Sequence, residues 1–478
     1  MAKFYITEAI PYVNAKPHIG HALELIQTDT IARFHKIKRD DTFFLWGSDE
    51  NALKNVQSAE KAKIPVQRFV DQNAKLFEDL ADVLNVELGT FQRTSLANHA
   101  KASQTLWELC DKAGDIYKKA YKGLYCVGCE EFKTKEDLNE KGECIEHPGK
   151  PLEEVEEENY FFRLSKYQQQ IIDLIESGKF TIVPSFRKNE VVTFLKSGLQ
   201  DFSISRSNER AKNWGIPVPG DDSQRIYVWF DALIVYLSGI GFGTDEKLYK
   251  KWWPPEVQVV GKGITRFHAI YWIGMLLSGG LPIPKKLFVH EYITVNGQKM
   301  SKSIGNVIDP HEVIEKFGAD AVRYYCLAKI SPFSDSDFSE EKLIETYNAD
   351  LANGLGNLIS RVAKLCENAD YTHKTTQSAS KHIDTKFESA FSDYNFPNGL
   401  KYLWQKISNL DKYINDEKPW VLAKTDKKKL EIVLAECVTQ IQQIAFLLQP
   451  FLPTTAAAIL KQFNEPKITS SRPLFPRI

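Results

Sequence analysis

The apolar positions change rhythm several times along the chain. Phe4 to Ile10 is an extended run rich in aromatic and β-branched residues; the turn-like stretch Pro11 to Pro17 follows. Leu23, Ile26, Ile31 and Phe34 then recur near the 3.6-residue helical period, and Pro17 suits the first turn of that helix, where its missing N–H costs nothing. A second apolar run, Thr42 to Trp46, ends in Gly47-Ser48-Asp49, so strand, helix and strand predict a parallel βαβ unit. From Tyr117 to Arg225 the pattern turns to short strands and loops with clustered cysteines and the acidic run Glu153 to Glu158, which reads as an insertion. An apolar strand is expected again at Ile226 to Phe230, then a helical stretch, then strands at Val257 to Val260 and Leu287 to Val289. After about Tyr347 the chain is helical almost throughout, with Leu351, Leu355, Leu358, Ile359 and Val362 on one stripe and Leu430, Val433, Leu434, Val438, Ile441, Ile444 and Leu448 on another.

The expected fold is therefore α/β with a parallel sheet. Residues 1–116 and 226–346 supply its two halves, 117–225 an insertion, and 347–478 an all-helical domain. Composition agrees: of 478 residues 43% are hydrophobic and 26% charged, which excludes collagen-like, coiled-coil and wholly disordered classes. The weakly polar stretches Ala232 to Gly243 and Ala269 to Ile283 fall short of the roughly 20 apolar residues of a membrane helix or are broken by glycine and proline, so no membrane association is expected. Glu8 and Pro11 interrupt what a secretory signal would need as an apolar core, and a cytoplasmic protein is expected. Seven cysteines in so long a chain do not make a disulfide framework; they point to metal binding or buried thiols. The net charge of −1 argues against indiscriminate nucleic-acid binding but leaves room for a local basic face.

Three short motifs carry chemistry. His18-Ile19-Gly20-His21 falls where the first strand hands over to the first helix, beside an N-terminus that favours anions. The glycine admits a nucleotide close to the backbone, and the imidazoles can bond phosphate oxygens; taken alone, the same pair also fits a helix surface or a metal pair. Lys299-Met300-Ser301-Lys302-Ser303 follows the strand Leu287 to Val289 on a Gly-rich loop. Its lysines can neutralise a polyphosphate, although a solvated basic loop has the same composition. Cys126-x2-Cys129 and Cys144-x2-His147 offer three thiolates and one imidazole, a closed tetrahedral zinc set with no open position, which implies a structural role. Cys110, Cys326, Cys366 and Cys437 read as buried packing, and Gly239 to Gly243 as a turn.

In order and placement, the histidine and lysine motifs together resemble the signature of class I aminoacyl-tRNA synthetases. The fuller resemblance, over essentially the whole chain, is to the methionyl-tRNA synthetase family with a single zinc knuckle. Ala9-Ile10-Pro11-Tyr12, Glu157 to Ser165, Tyr227-Val228-Trp229-Phe230-Asp231-Ala232 and Lys418-Pro419-Trp420 all look like that family's pattern. The resemblance implies a Rossmann-like catalytic domain and an anticodon-binding helical domain. It also implies ATP, L-methionine and tRNA(Met) as partners, Mg2+ accompanying ATP, and one structural Zn2+ on Cys126, Cys129, Cys144 and His147. It assigns phosphate chemistry to His18, His21, Lys299 and Lys302, and ATP contacts to Gly20 and Ser301 as well. The methionine pocket would be Ile10, Tyr12, Trp229, Ala232, Tyr236, Ile264 and His268, with Asp49 on the ammonium and with Tyr12 and His268 as donors to the thioether. Trp420 would stack an anticodon base while Asn357 and Arg361 read base edges.

Two positions depart from the family pattern. Ser48-Asp49-Glu50-Asn51-Ala52 stands where Thr-Asp-Glu-His-Gly is usual, and Gly261-Lys262-Gly263 where the triplet usually ends in an acid. The 117–225 insertion leaves no room for the large editing domain of leucyl-, isoleucyl- or valyl-type enzymes. A cysteinyl-type enzyme would need a cysteine just before the histidine motif, and none precedes Cys110. A non-catalytic zinc-containing RNA binder would have no use for both halves of the phosphate clamp. A chain ending soon after the helical domain carries the expectation of a monomer.

Overall fold

The computed structural model describes residues 1–87, 89–126, 128, 131–133, 137–300, 305–373 and 382–478, with Glu131 and Lys299 described by their backbone alone. Six parallel strands make the central sheet: β1 (Lys3–Glu8), β2 (Asp41–Ser48), β3 (Thr90–Arg93), β4 (Thr181–Val183), β5 (Val257–Gly261) and β6 (Lys286–His290). Their spatial order is β3-β2-β1-β5-β6-β4. The order reverses beside β1, whose Phe4 lies opposite Thr42 of β2 and whose Ile6 lies opposite Val257 of β5. In such sheets, ligands bind at that switch point, outside the carboxyl ends of the strands. Helix α1 (Ile19–Ile37) crosses from β1 to β2 and buries Leu23, Ile26, Ile31 and Phe34, the stripe its period predicts. Each such fully buried side chain contributes roughly 1.5–3 kcal/mol by its removal from water.

Two elements differ from the sequence expectation. The strand expected at Ile226 to Phe230 ends at Ile226, where it belongs to a small antiparallel sheet, and Val228–Ala232 is helical, continued by Val235–Ser238. Both helical pieces are buried almost all round, so the polar face that would reveal a 3.6 period is missing and the run looks like a strand. The insertion is also less separate than its texture indicates: Thr181–Val183 returns to the main sheet as β4, parallel to β6. That region also holds two helices, the small antiparallel sheet that ends at Ile226, and a four-stranded antiparallel sheet in which Ile116–Cys126 pairs with Glu153–Phe162. The acidic run there is answered in part by Lys122 on the facing strand, which reaches Glu154 at 3.1 Å, and by Arg210, which reaches Glu153 at 3.1 Å.

The C-terminal region contains α2 (Asn357–Asn368), α3 (Phe396–Glu417), α4 (Lys427–Leu448) and α5 (Pro453–Phe463) among its helices, and their apolar stripes meet in one core. Although no spanning segment is expected from the sequence, α4 is long and apolar enough to cross a membrane. Most of its apolar length is buried inside the fold, as the core helix of a bundle should be. The buried Arg323 ties this region to the sheet domain. It pairs with Asp29 of α1 at 2.7 Å and donates to the carbonyls of Pro450 and Phe451. The four lone cysteines Cys110, Cys326, Cys366 and Cys437 are buried, as expected, and burial pushes each thiol up to about 12. Gly239 to Gly243 is a turn, with Gly241 and Gly243 in the left-handed region.

Candidate active site and its approaches

A cavity of about 370 Å³ opens at the switch point. Ile10, Tyr12, His18, His21, Asp49, Trp229, Ala232, Tyr236, Ile264 and His268, which lie far apart in sequence, all line it. The misread helical segment explains how four of its walls converge. Trp229, Ala232, Leu233 and Tyr236 stand at i, i+3, i+4 and i+7, one face of a helix, where a strand would have pointed alternate residues away. Ile264 and His268 add a second i, i+4 pair.

His18 caps α1. Its Nδ1 accepts from the Gly20 N–H at 3.1 Å, while the His18 N–H donates to His21 Nδ1 at 3.1 Å, a capping box built from two imidazoles. The rings stack at 3.8 Å between centroids. With each Nδ1 accepting from an amide, the proton of the neutral ring sits on Nε2 in both. Burial, with a contribution from His18, holds His21 well below the ordinary imidazole range. A Cβ at Gly20 would lie 2.9 Å from the His18 ring and 3.5 Å from Met300 Cε, so the bare backbone leaves this turn open to a ligand.

The opposite wall is a chain of buried hydrogen bonds. His268 Nδ1 is 3.0 Å from the Ile264 carbonyl, which can only accept, so Nδ1 carries the proton and Nε2 accepts from the Tyr236 hydroxyl at 2.8 Å. Burial pushes the His268 imidazole down to about 4, which keeps it neutral. Both of its nitrogens are thus engaged. His268 orients Tyr236 and has no N–H left for a thioether, so the donor role expected of it does not follow from this geometry. Trp229 stacks on Phe267 at 3.6 Å and meets Tyr12 edge-on at 6.4 Å.

Asp49, 2% exposed, sits at the end of β2. Its Oδ1 accepts from the Asn51 N–H, and the Asn51 amide reaches on to Asp231 Oδ2 at 2.7 Å and the Thr94 carbonyl. Asp231 also meets buried His99 at 2.8 Å. The Asn51 departure is therefore built into a polar network that steadies Asp49, while Ala52 packs against Tyr227 and Val228. Sequence reading missed Asp231 and His99 as parts of that network, and Glu8 and Glu24 as cavity residues. Burial, then the charges of Glu24 and Asp29, push the Glu8 carboxyl well above its ordinary range. Glu24 pairs with His290 at 3.3 Å. The one available signal was a carboxylate, Glu8, inside the apolar run Phe4 to Ile10.

Lys299 belongs to a hairpin rather than a loose loop. Ile293–Val295 pairs with Gln298–Lys299 through Asn296-Gly297, both with positive φ, the two-residue turn that this dipeptide favours. Met300 lines the cavity. The Lys299 side chain, Ser301 and Lys302 lie outside the described residues. In the knuckle, the ligand atoms of Cys126, Cys144 and His147 lie within 4.8 Å of one another, the one such cysteine–histidine group among the described residues; Cys129 lies outside them. Cys126 Sγ is 3.9 Å from His147 Nδ1, close to the roughly 3.6 Å that two tetrahedral zinc ligands subtend, so this donor set fits zinc.

Comparison with known proteins decides what this arrangement belongs to. Residues 4–363 match the model for tRNA synthetases class I (M), and residues 376–472 that for the anticodon binding domain of methionyl tRNA ligase. The methionine–tRNA ligase of Brucella suis is 41% identical over 473 residues, 96% of this chain and 91% of that one. The chain belongs to the methionyl-tRNA synthetase family. The methionine–tRNA ligase of Thermotoga maritima is 40% identical, covering 97% of this chain and 75% of its own. The Mycobacterium tuberculosis methionyl-tRNA synthetase in complex with methionyl-adenylate superposes with a TM-score of 0.91 at 33% identity, with all of both chains covered.

In this synthetase-family fold, the helical domain carries the last predicted cluster. Arg361 of α2 stands 5.3 Å over the ring of Trp420, which is 45% exposed. The guanidinium is held by Asp411 at 2.8 Å and by Asn415 at 2.6 Å, both on α3. Asn357 opens α2 on the same side one turn earlier and is exposed.

Proposed function

We propose that the protein activates L-methionine with ATP and transfers it to tRNA(Met). In the first step a methionine carboxylate oxygen attacks the α-phosphorus, the bond to the β-phosphate oxygen breaks, and pyrophosphate leaves. In the second, a ribose hydroxyl of the terminal adenosine attacks the acyl carbon and AMP leaves. One observation carries this reading: His18 and His21, which the family resemblance assigns to phosphate, line the same cavity at the switch point as Ile10, Tyr12, Asp49, Trp229, Ala232, Tyr236, Ile264 and His268, which it assigns to methionine.

The side chains divide the work by their chemistry. Tyr12, Trp229, Ala232, Tyr236 and Ile264 offer a thioether apolar and polarizable walls, and Asp49 takes the ammonium. His18 and His21 present Nε2–H donors to the phosphates, beside the amide-rich start of α1, where charge develops during displacement. Lys299 and Lys302 neutralise the polyphosphate, and Mg2+ arrives with ATP. Zinc on Cys126, Cys129, Cys144 and His147 would cross-link a knuckle with little core of its own and take no part in the chemistry. Trp420 stacks an anticodon base while Asn357 and Arg361 read its edges.

The test is ATP–pyrophosphate exchange with each of the twenty amino acids in turn. Exchange with methionine alone is expected; exchange with cysteine would transfer the protein to a cysteinyl-type reading, and exchange with none would make it an RNA binder.

A further inference from the structure

Gly263 departs from the family triplet, and Tyr292 occupies the space that a side chain there would need. A Cβ added there would stand 2.1 Å from the hydroxyl oxygen of Tyr292 and 3.5 Å from its Cζ, so the phenol already fills the space of a side chain at 263. The Gly263 amide hydrogen-bonds that hydroxyl, while burial pushes the phenol up to about 12 and keeps it protonated. Gly263 is not among the glycines with positive φ, so its backbone would accept a side chain and Tyr292 is the obstacle.

The ring and its backbone are both held. Lys262 Nζ lies 4.8 Å over it, the Tyr292 N–H donates to Asp335 Oδ1 at 3.0 Å, and Lys262 ties the same Asp335 at 2.6 Å. The neighbours of Tyr292 are clasped too. His290 pairs with Glu24 of α1, and Glu291 lies between Lys262 and Arg187, the latter on the helix Ser185–Lys196.

The hairpin that carries Lys299 starts at the next residue. Its strands are short, its turn is tight, and Asp337 braces it by accepting from the Thr294 hydroxyl and the Gly297 amide, each at 2.9 Å. Thr294 faces Lys299 in register. A shift at Tyr292 therefore moves the backbone of Lys299 as a unit instead of being absorbed by a flexible loop. At the far end, Met300 comes to 3.5 Å from the Cβ position of Gly20, on the phosphate turn.

We propose that Tyr292 is a positioning residue for adenylate formation: its hydroxyl, seated in the space left by Gly263, fixes the root of the Lys299 hairpin against the cavity wall. The pair is coupled, because a side chain at 263 and a hydroxyl at 292 exclude each other. This rests on the ligase reading, and the experiment separates the two: wild-type exchange with methionine tests the reading, and the response of the pair tests the inference.

The experiment is a double-mutant cycle on the full chain with G263A, Y292F and G263A/Y292F. It reads kcat and KM for ATP in methionine-dependent exchange, and methionine affinity by calorimetry. Because misplacing a catalytic group by about 1 Å costs on the order of a hundredfold, G263A is expected to lose about 30-fold or more in kcat/KM for ATP. Y292F, which lacks only the hydroxyl, is expected to lose about three- to tenfold, read as a raised KM for ATP, and the double variant to match Y292F within about threefold. Methionine affinity should stay within about twofold throughout, since neither residue lines the methionine walls. G263A at the wild-type rate, a double variant no better than G263A, or equal losses for ATP and methionine would each overturn the proposal. If G263A fails to fold, Y292F decides: a raised KM for ATP with methionine affinity unchanged supports it, and unchanged kinetics overturn it.

Discussion

The cavity and the Arg361–Trp420 face are built on opposite principles. In the cavity, polar groups are buried and mutually satisfied: Tyr236 to His268 to the Ile264 carbonyl, and Asp49 to Asn51 to Asp231 to His99. Each has one orientation before any ligand arrives. On the helical domain the groups are exposed, and an ion pair plus a ring contact hold Arg361. A small substrate differing from its rivals by one methyl is worth only about 1–3 kcal/mol of discrimination, which a wall free to move would lose. A splayed RNA base brings a large π-face, which a half-exposed indole can meet without a preformed cavity.

Breaking the cavity end should give the largest effect. His21→Ala removes the proposed phosphate donor and half of the imidazole capping box, and about 10²–10³-fold in kcat for methionine-dependent pyrophosphate exchange should go with it, with methionine affinity nearly unchanged. An exchange rate within threefold of wild type would remove His21 from the chemistry. On the other face, Trp420→Ala should cost about 1–3 kcal/mol of tRNA binding, read as a higher KM for tRNA in aminoacylation. Exchange without tRNA should be untouched, and a fall in exchange would show that the two regions are not separable.

How much of this contrast was legible in the sequence depended on where the information lay. The turn of His18, Gly20 and His21 was legible because these residues are local and sit at a strand-to-helix handover. The convergence of Cys126, Cys144 and His147 was legible through their spacing. The helix of Trp229 to Tyr236 was not, because burial on all sides erases the polar half of the pattern; only the family match put those residues in one site. Nor could sequence reveal the polar network around Asp49, since Asn51, His99 and Asp231 come from three distant segments. The engagement of both His268 nitrogens likewise depends on the helical i, i+4 relation to the Ile264 carbonyl. Gly263 looked like a loss until Tyr292, 29 positions on, was found in its place.

The buried wall should also leave a mark on stability. His268 has its imidazole at about 4 in the fold, below the ordinary 6.5, so the unfolded chain binds the extra proton first as pH falls. The stability that depends on its neutral form is fully present above pH 6.5 and is lost as pH falls towards 4. At pH 5 this single group should cost about 2 kcal/mol relative to pH 7.5. Urea unfolding of wild type and His268→Asn at the two pH values measures it, and equal pH slopes for the two proteins would contradict the buried, neutral assignment.

The smallest effect tests the exposed face most sharply. Asp411 holds Arg361 at 2.8 Å, yet the carboxylate is 42% exposed and the guanidinium 27%, so water and salt screen the pair. Such pairs are worth about 0–1 kcal/mol. If Arg361 is kept in place mainly by its contact with Trp420 and by Asn415, Asp411→Ala should change KM for tRNA by about fivefold at most, less at high salt, and leave exchange alone. A loss much larger than that would mean that Arg361 needs a fixed partner to act, and the Arg361–Trp420 face would then be preorganised in the same way as the cavity wall.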